Sequence, residues 1–524
     1  MLITDMLARN ARMYGNEIAL VEREPEKNRR SEITWKEFDE SSNRLAHALI
    51  SMGIRKGDRV VQLMTNCLEW LPIYFGVLRT GAWAVPLNFR FVATTIRRCA
   101  ETAEAKAIIF GEEFTERINF IKPELDQFVQ IYIFTGPKER CPEYARSYHK
   151  LILGQPATAP LVDISITDDA ALYFTSGTTG NPKAALLTHR NLEFACFVEN
   201  NHHRQTHQDN FLILPPLYHT GAKMHWFGNL MVGAKAVLLK GIDPAWILEA
   251  VSEEHVTIVW LLVPWALDIL FAIESGDLKL KNFKLDQWRL MHIGAQPVPP
   301  SLVIEWKRIF PHHQYDTNYG LTESSGPGCI HLGLENIDSV GAIGIPGFDW
   351  EFKITDAGLK PVDRGQPGEL MIKGPGIMKE YYKNPEATHS ALVDGWLLTG
   401  DIARQDENGF IWLVDRKKDV IITGGENIYP VEIEDFLQSH PDIQDVAVIG
   451  LPSPRLGEIA TAIVQTKPER SLTVESINEF CMALARYKRP RRIIFANVPR
   501  NPTGKIEKPK LRKKYGGITE SFKI

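Results

Sequence analysis

The chain has few cysteines and sets them out without pattern. Cys67, Cys99, Cys141, Cys196, Cys329 and Cys481 form no CxxC or paired spacing in 524 residues. That excludes a disulfide scaffold and a cysteine-based zinc module, and it predicts a reduced, cytoplasmic setting. An excess of one charge is missing as well. The 60 Lys and Arg against 64 Asp and Glu leave a net charge of −4, which argues against a dedicated nucleic-acid binder. Nor is there a long unbroken apolar run. The most hydrophobic stretch, "VTIVWLLVPWALDILFAI" (256–273), is interrupted by Pro264 and Asp268. It reads as buried strand, turn and helix, so no transmembrane segment is expected. The first twenty residues carry Asp5, Arg9 and Arg12 and no continuous apolar core, unlike a secretory signal. Internal repeats and low-complexity tracts are lacking too.

What is present is an ordinary globular composition, 44% hydrophobic and 24% charged. The length suits roughly three to four structural units. "SSNRLAHALISMG" puts Leu45, Ala48, Leu49 and Met52 on one helical face and stops at Gly53. "DRVVQLM" then reads as a buried strand, "LEWLPIYFGVLRTG" as a helix ending at Gly81, and "AKAIIFG" as another strand. This βαβ rhythm predicts an α/β fold of layered subdomains with parallel strands at their centres. The texture changes at "WLVDRKKDVIITGGENIYP" (412–430), where Arg416, Lys417 and Lys418 precede a short apolar strand and two glycines. A charged, exposed joint is where two domains can pivot. The expectation is a large domain over 1–417 and a small, mobile α+β C-terminal domain over 418–524, with a hinge near Lys418.

Costly residues gather in "TSGTTGNPK" (175–183). Gly177 and Gly180 permit backbone angles that turn successive N–H groups toward one point, a nest for phosphate oxygens. Thr175, Ser176, Thr178 and Thr179 add hydroxyls and Lys183 a compact positive charge. "AALYF" before the loop reads as a strand, and "AALLTHRNLEFACF" after it reads as a helix, a strand-to-helix setting that suits phosphates. The order Gly-Thr-Thr-Gly-Asn-Pro-Lys is not a Walker A loop, so a kinase- or GTPase-like assignment ranks below both a phosphate nest and a flexible surface loop. The histidines of "NHHRQTH" (201–207) lack a recognisable ligand set and read as a solvated loop.

Three further stretches follow in order: "NYGLTESS" (318–325), "GWLLTGDIARQDENGFIWLVDRKKD" with Asp401 and Arg416, and "PRNPTGKIEKPKLR" with Lys505. Alone, each reads as a glycine turn, a surface hairpin or a basic tail. Together with the phosphate loop, the chain resembles the AMP-forming acyl-CoA synthetases of the adenylate-forming superfamily, which also holds luciferases and nonribosomal peptide adenylation domains. The resemblance runs from "TWKEFDESSNRLAHAL" to "KLRKKYG".

The resemblance implies roles residue by residue. Thr175, Ser176, Gly177, Thr178, Thr179, Gly180 and Lys183 would grip the ATP β- and γ-phosphates. Gly294, Ala295, Gln296 and Pro297 would pass beside the adenine, with Asn318, Tyr319 and Gly320 forming the stacking segment. Thr322 would touch the α-phosphate, Glu323 would hold Mg²⁺, and Asp401 with Arg416 would take the ribose hydroxyls. Lys505 would bridge carboxylate and α-phosphate, Lys418 would be the hinge, and Gly424 and Gly425 would line the path of CoA. His219, Gly221, Trp265, His292, Ala295 and Gly320 would surround the acyl group, with His219 as a gate. Two departures stand out: Pro-Lys-Ala-Ala at 182–185 where the family writes Pro-Lys-Gly, and Gly-Ala-Gln-Pro at 294–297 where it commonly writes Gly-Gly-Ala-Pro. The second adds bulk beside the acyl pocket and disfavours very long chains.

The implied reaction joins a carboxylic acid to CoA at the expense of ATP, through an acyl adenylate with release of pyrophosphate and then AMP. Short-to-medium, branched, cyclic and aryl acids all stay open, and a homodimer is compatible with this reading. Two other classes stay open as well: a stand-alone enzyme loading an acyl carrier protein, and a non-catalytic nucleotide-binding descendant. A luciferase-like oxygenase is the weaker alternative, and the retained Glu323, Asp401, Arg416 and Lys505 argue against a scaffold.

Overall fold

The computed structural model describes residues 1–175, 182–294, 298–336, 338–423, 426–453, 455–500 and 506–516. Among them the chain forms four sheets. The first has eight strands, ordered Glu380–Tyr381, Lys183–Thr188, Asp169–Thr175, Trp83–Pro86, Arg59–Leu63, Ala105–Phe110, Ile131–Phe134 and Arg146–Ser147. The second has nine, and its parallel centre runs Gln314–Tyr319, Leu290–Gly294, Ile258–Leu262, Asn210–Ile213, Lys235–Leu239 and Ile18–Glu24. Antiparallel strands close both edges of the second sheet and one edge of the first, whose other edge strand, Arg146–Ser147, is parallel to its neighbour.

The two large sheets share one apolar layer. Leu45 and Leu49 of the Trp35–Ser51 helix, Tyr74 and Phe75 of Trp70–Arg79, Leu192 of His189–His203 and Trp226 of Thr220–Val232 lie in it. It also holds Val60 from one sheet and Phe211 from the other. Each sheet is covered on its outer face by a separate cluster with its own helices, which gives the α/β layering expected from the βαβ rhythm.

Local signals explain the elements that read cleanly. The Trp35–Ser51 helix begins in a capping box, with the Glu37 amide donating to Thr34 Oγ1 at 3.2 Å and the Thr34 amide to Glu37 at 2.8 Å. It buries Leu45, Ala48 and Leu49 and stops before Gly53, whose φ of 93° suits glycine. The apolar run at 256–273 is the strand Ile258–Leu262 passing directly into the helix Val263–Glu274, with Pro264 in the first turn. No described helix is long and apolar enough to cross a membrane.

A smaller antiparallel sheet, Glu351–Thr355, Gly368–Lys373, Trp396–Gln405, Leu392–Val393 and Ile411–Arg416, completes the large domain. The small C-terminal domain has its own sheet, including Ile443–Ser453 paired with Gly457–Thr466, and helices at Pro430–Gln438, Val474–Phe480 and Lys508–Tyr515.

The shared layer contains a lysine. Lys223 is 0% exposed and its ammonium has no hydrogen-bond partner among the described residues. It faces the rings of Tyr74, Tyr173 and Trp70 at 3.7, 4.4 and 5.6 Å. Burial pushes its pKa well below the ordinary lysine value, and the ring faces recover only part of that cost. Lys223→Met should therefore stabilise the protein by about 1–3 kcal/mol at neutral pH. A lysine with a depressed folded pKa binds fewer protons folded than unfolded, so the wild type gains stability as pH rises toward 10.5. The advantage of the methionine variant should shrink over that window in denaturant titrations. A variant less stable than wild type at pH 7 would contradict this.

Candidate active site

The glycine-rich loop joins two strands, not a strand and a helix. Asp169–Thr175 and Lys183–Thr188 pair antiparallel, with Thr175 opposite Lys183 and Tyr173 opposite Ala185. Ala-Ala-Leu-Leu has high helix propensity, but pairing between Phe174–Leu172 and its other neighbour buries Ala184, Ala185, Leu186 and Leu187, and tertiary context overrides the local preference. The helix starts at His189, where Thr188 Oγ1 accepts from the Asn191 amide. The helix-terminus argument for phosphate therefore does not apply. Ser176, Gly177, Thr178, Thr179 and Gly180 lie outside the described residues. Thr175 and Lys183 mark the loop's ends, and the Lys183 ammonium sits 4.9 Å from the Tyr381 ring. Tyr381 Oη donates to Glu323 Oε1 at 2.6 Å, so one phenol joins the phosphate-loop lysine to the carboxylate expected at the metal.

The adenylate side is assembled from the end of the Gln314–Tyr319 strand and the third sheet. Tyr319 Oη donates to Asp401 Oδ2 at 2.6 Å, and Arg416 Nε lies 2.8 Å from Asp401 Oδ1. Asp401 and Arg416 are opposite partners in the antiparallel pair of Trp396–Gln405 with Ile411–Arg416, which explains how residues fifteen apart meet. Asp401 is 3% exposed and its charge raises the Arg416 pKa. A cavity of about 340 Å³ opens beside them, lined by Thr399, Gly400, Arg416, Lys417 and Lys418. Gly320 must be glycine, since a Cβ there would come within 2.9 Å of Gly328 Cα. Thr322 opens the short 3₁₀ turn that carries Glu323. Gly294 ends the Leu290–Gly294 strand beside Asn318, and Ala295, Gln296 and Pro297 lie outside the described residues.

Lys418 is exposed between two anchored neighbours. Lys417 reaches Glu369 at 2.8 Å in the large domain, whereas Asp419 accepts from Arg512 of the C-terminal helix at 2.7 Å. Gly424, Gly425 and Lys505 lie outside the described residues.

On the acyl side His219 caps the Thr220–Val232 helix, its Nδ1 accepting from the Gly221 amide at 3.2 Å. A Cβ on Gly221 would come within 2.9 Å of Trp260 Cη2. Trp260, not Trp265, is the indole brought to this group. Alternate residues of a strand face opposite sides, so Ile258 and Trp260 enter the shared layer while Val259 and Leu261 enter the outer cluster, where Trp265 also packs. Trp260 stacks on His225 with ring centroids 4.5 Å apart.

The "NHHRQTH" segment is not a solvated loop. Its first residues end the His189–His203 helix, and His203 is 0% exposed. His203 Nδ1 lies 2.7 Å from Glu199, one turn back, and Nε2 lies 2.8 Å from both Asp316 Oδ2 and His292 Nδ1. Burial opposes a charge on His203, but Glu199 and Asp316 outweigh it and push its pKa up to about 10. Burial works against the Asp316 charge as well, yet His203 and His331 hold its carboxyl well below the usual range. His292, buried beside that cation, is held well below the ordinary histidine value. Glu199 and His203 four residues apart form a pattern legible on a helix; Asp316 and Trp260 offered no such local signal.

A family model described as AMP-binding enzyme matches residues 7–382, and one described as AMP-binding enzyme C-terminal domain matches 432–505. The long-chain-fatty-acid–CoA ligase FadD13 of Mycobacterium tuberculosis is 33% identical over 493 residues, covering 92% of this chain and 93% of that protein. The crystal structure of the anthranilate CoA ligase AuaEII in complex with anthranoyl-AMP matches with a TM-score of 0.89 at 26% identity, covering 98% and 97% of the two chains. The O-succinylbenzoate coenzyme A synthetase MenE of Bacillus subtilis, in complex with ATP and magnesium ion, matches at 0.82 and 26%, covering 97% and 99%. Fold and matched motifs define an adenylate-forming enzyme, and the chain belongs to the AMP-binding enzyme family. Within that family it stands among the acyl- and aryl-CoA ligases.

Proposed function

We propose that the protein activates a compact carboxylic acid with ATP to an acyl adenylate, releasing pyrophosphate, and then transfers the acyl group to CoA with release of AMP. The observation that carries this reading is the Tyr319–Asp401–Arg416 constellation beside a cavity, within one chain with the Lys183–Tyr381–Glu323 group. Asp401 is an acceptor suited to the two ribose hydroxyls, and Arg416 holds its charge in place. The Tyr319 ring offers a face to the adenine, next to Gly294. Lys183 and the loop from Thr175 neutralise the outgoing pyrophosphate.

Displacement at phosphorus asks for alignment and charge neutralisation rather than an enzyme nucleophile. The Glu323 carboxylate takes one phenol hydrogen bond and pairs with no described cation, which fits a hard divalent ion. Bound there with ATP, Mg²⁺ supplies charge neutralisation on the phosphates. Lys505 aligns the acid carboxylate with the α-phosphorus. Lys418 then lets the C-terminal domain turn, so that Gly424 and Gly425 border the approach of the thiol. The separate anchoring of Lys417 and Asp419 supports a pivot at this position. His219 gates the acyl side.

The substrate reading is a short-to-medium, cyclic or aryl acid, supported by the indole of Trp260 pressed against Gly221. Acid-dependent exchange of labelled pyrophosphate into ATP, measured without CoA, tests the first half-reaction. Exchange with at least one acid of this kind is expected. Exchange that needs no acid, or none with any acid while ATP binds, would contradict it.

A further inference from the structure

The nitrogens around the acyl side can be assigned their protons from their neighbours. His225 Nδ1 faces the Gly221 carbonyl and must carry hydrogen, so its Nε2 accepts from the Asn318 amide at 2.8 Å. His203 lies between the carboxylates of Glu199 and Asp316, and both its nitrogens donate. Its Nε2 is also 2.8 Å from His292 Nδ1. A hydrogen supplied instead by His292 would leave a bare nitrogen against the Asp316 carboxylate, which is repulsive. His292 Nδ1 therefore accepts, and the proton of His292 sits on Nε2.

That places two donors in the site with nothing to receive them. His292 Nε2 and Trp260 Nε1 are buried and find no partner among the described residues. An indole nitrogen can only donate, and buried donors left unpaired are costly. The indole runs between the two halves of the site. Its Cη2 would meet a Cβ on Gly221 at 2.9 Å, and its Nε1 lies 3.7 Å from where a Cβ on Gly294 would stand. The first contact is on the acyl side, the second beside Asn318 and the adenine turn. Glycine at both positions leaves this ring its place.

We propose that the acyl group carries a neutral hydrogen-bond-accepting oxygen, a keto, ether or hydroxyl oxygen, which His292 and Trp260 recognise. This rests on the ligase reading of the same site. The oxygen is neutral because two carboxylates, Glu199 and Asp316, face the imidazolium of His203, and Asp316 also meets His331 Nδ1 at 3.3 Å, so the wall offers no excess positive charge to a second carboxylate. Donors built to meet an oxygen discriminate against the analogue that lacks it far better than an apolar wall discriminates by size. Trp260 and His292 are accordingly specificity-determining residues.

The test is kcat/KM, from AMP release with CoA present, for matched pairs: cyclohexanecarboxylate and 4-oxocyclohexanecarboxylate, benzoate and 4-methoxybenzoate, hexanoate and 5-oxohexanoate. Terephthalate and adipate serve as second-carboxylate probes. Wild type, Trp260→Phe and His292→Phe are compared, and the ratio within a pair is the readout, so a general loss of rate cancels. In at least one pair, wild type should favour the oxygenated acid by about 10–100-fold, and the ratio should fall toward unity in Trp260→Phe. Turnover without preference, or a preference unchanged in both variants, overturns the inference and leaves the ligase reading standing. A preference for the dicarboxylates overturns the neutral oxygen. AMP from no acid at all overturns the ligase reading on which the inference rests.

Discussion

Asp401→Ala should lower kcat/KM for ATP by about 10²–10³-fold, since hydrogen bonds to a charged acceptor are worth about 1.5–3 kcal/mol each. The carboxylate is buried, takes the Tyr319 hydroxyl at 2.6 Å and pairs with Arg416 at 2.8 Å. Removing it withdraws the acceptor for the ribose and also leaves the guanidinium without its countercharge. Asp401→Asn keeps the volume and one acceptor oxygen, so its loss should be smaller. A thermal melt separates a folding defect from a binding defect. ATP kinetics unchanged in a folded alanine variant would remove Asp401 from the site.

Lys505→Ala should lower acyl-adenylate formation by about 10²–10³-fold, the usual cost of one missing charge-stabilising group. Thioester formation from a supplied acyl adenylate and CoA should be spared. The two steps ask for different things: the first brings two anions together at phosphorus, whereas the second is attack of a thiol on an already activated carbonyl. This expectation rests on the family motif "PTGK" at 502–505 and on the anchoring of Lys417 and Asp419 to different parts of the chain. Equal loss in both steps would contradict it and would make Lys505 a group needed for folding or for AMP binding in general.

Elements governed by nearby residues were legible in the sequence. The Trp35–Ser51 helix has its apolar stripe, its Thr34–Glu37 box and its Gly53 stop within one stretch, and the break at Pro264 marks the passage from strand to helix. Lys183–Thr188 reads as helix from Ala and Leu alone, yet its strand character comes from pairing with Asp169–Thr175. The Thr188–Asn191 capping pair held the true start of the helix. At the site, Tyr319, Glu323, Asp401 and Arg416 were legible because each lies in a recognisable string. Asp316 and Trp260 were not, because Asp316 meets His203 from 113 positions away and a strand residue's side is set by its register. Trp265 lies on the helix after that strand and packs in the outer cluster, whereas Trp260 on the strand enters the shared layer.

The most direct measurement is mass spectrometry of the products formed from ATP, Mg²⁺, CoA and a panel of carboxylic acids spanning acetate, medium-chain, cyclic and aryl acids. New acyl-CoA species accompanied by AMP are the predicted result, and their masses rank the substrates. Acyl adenylate accumulating without any thioester, or ATP left intact with every acid, would contradict the account.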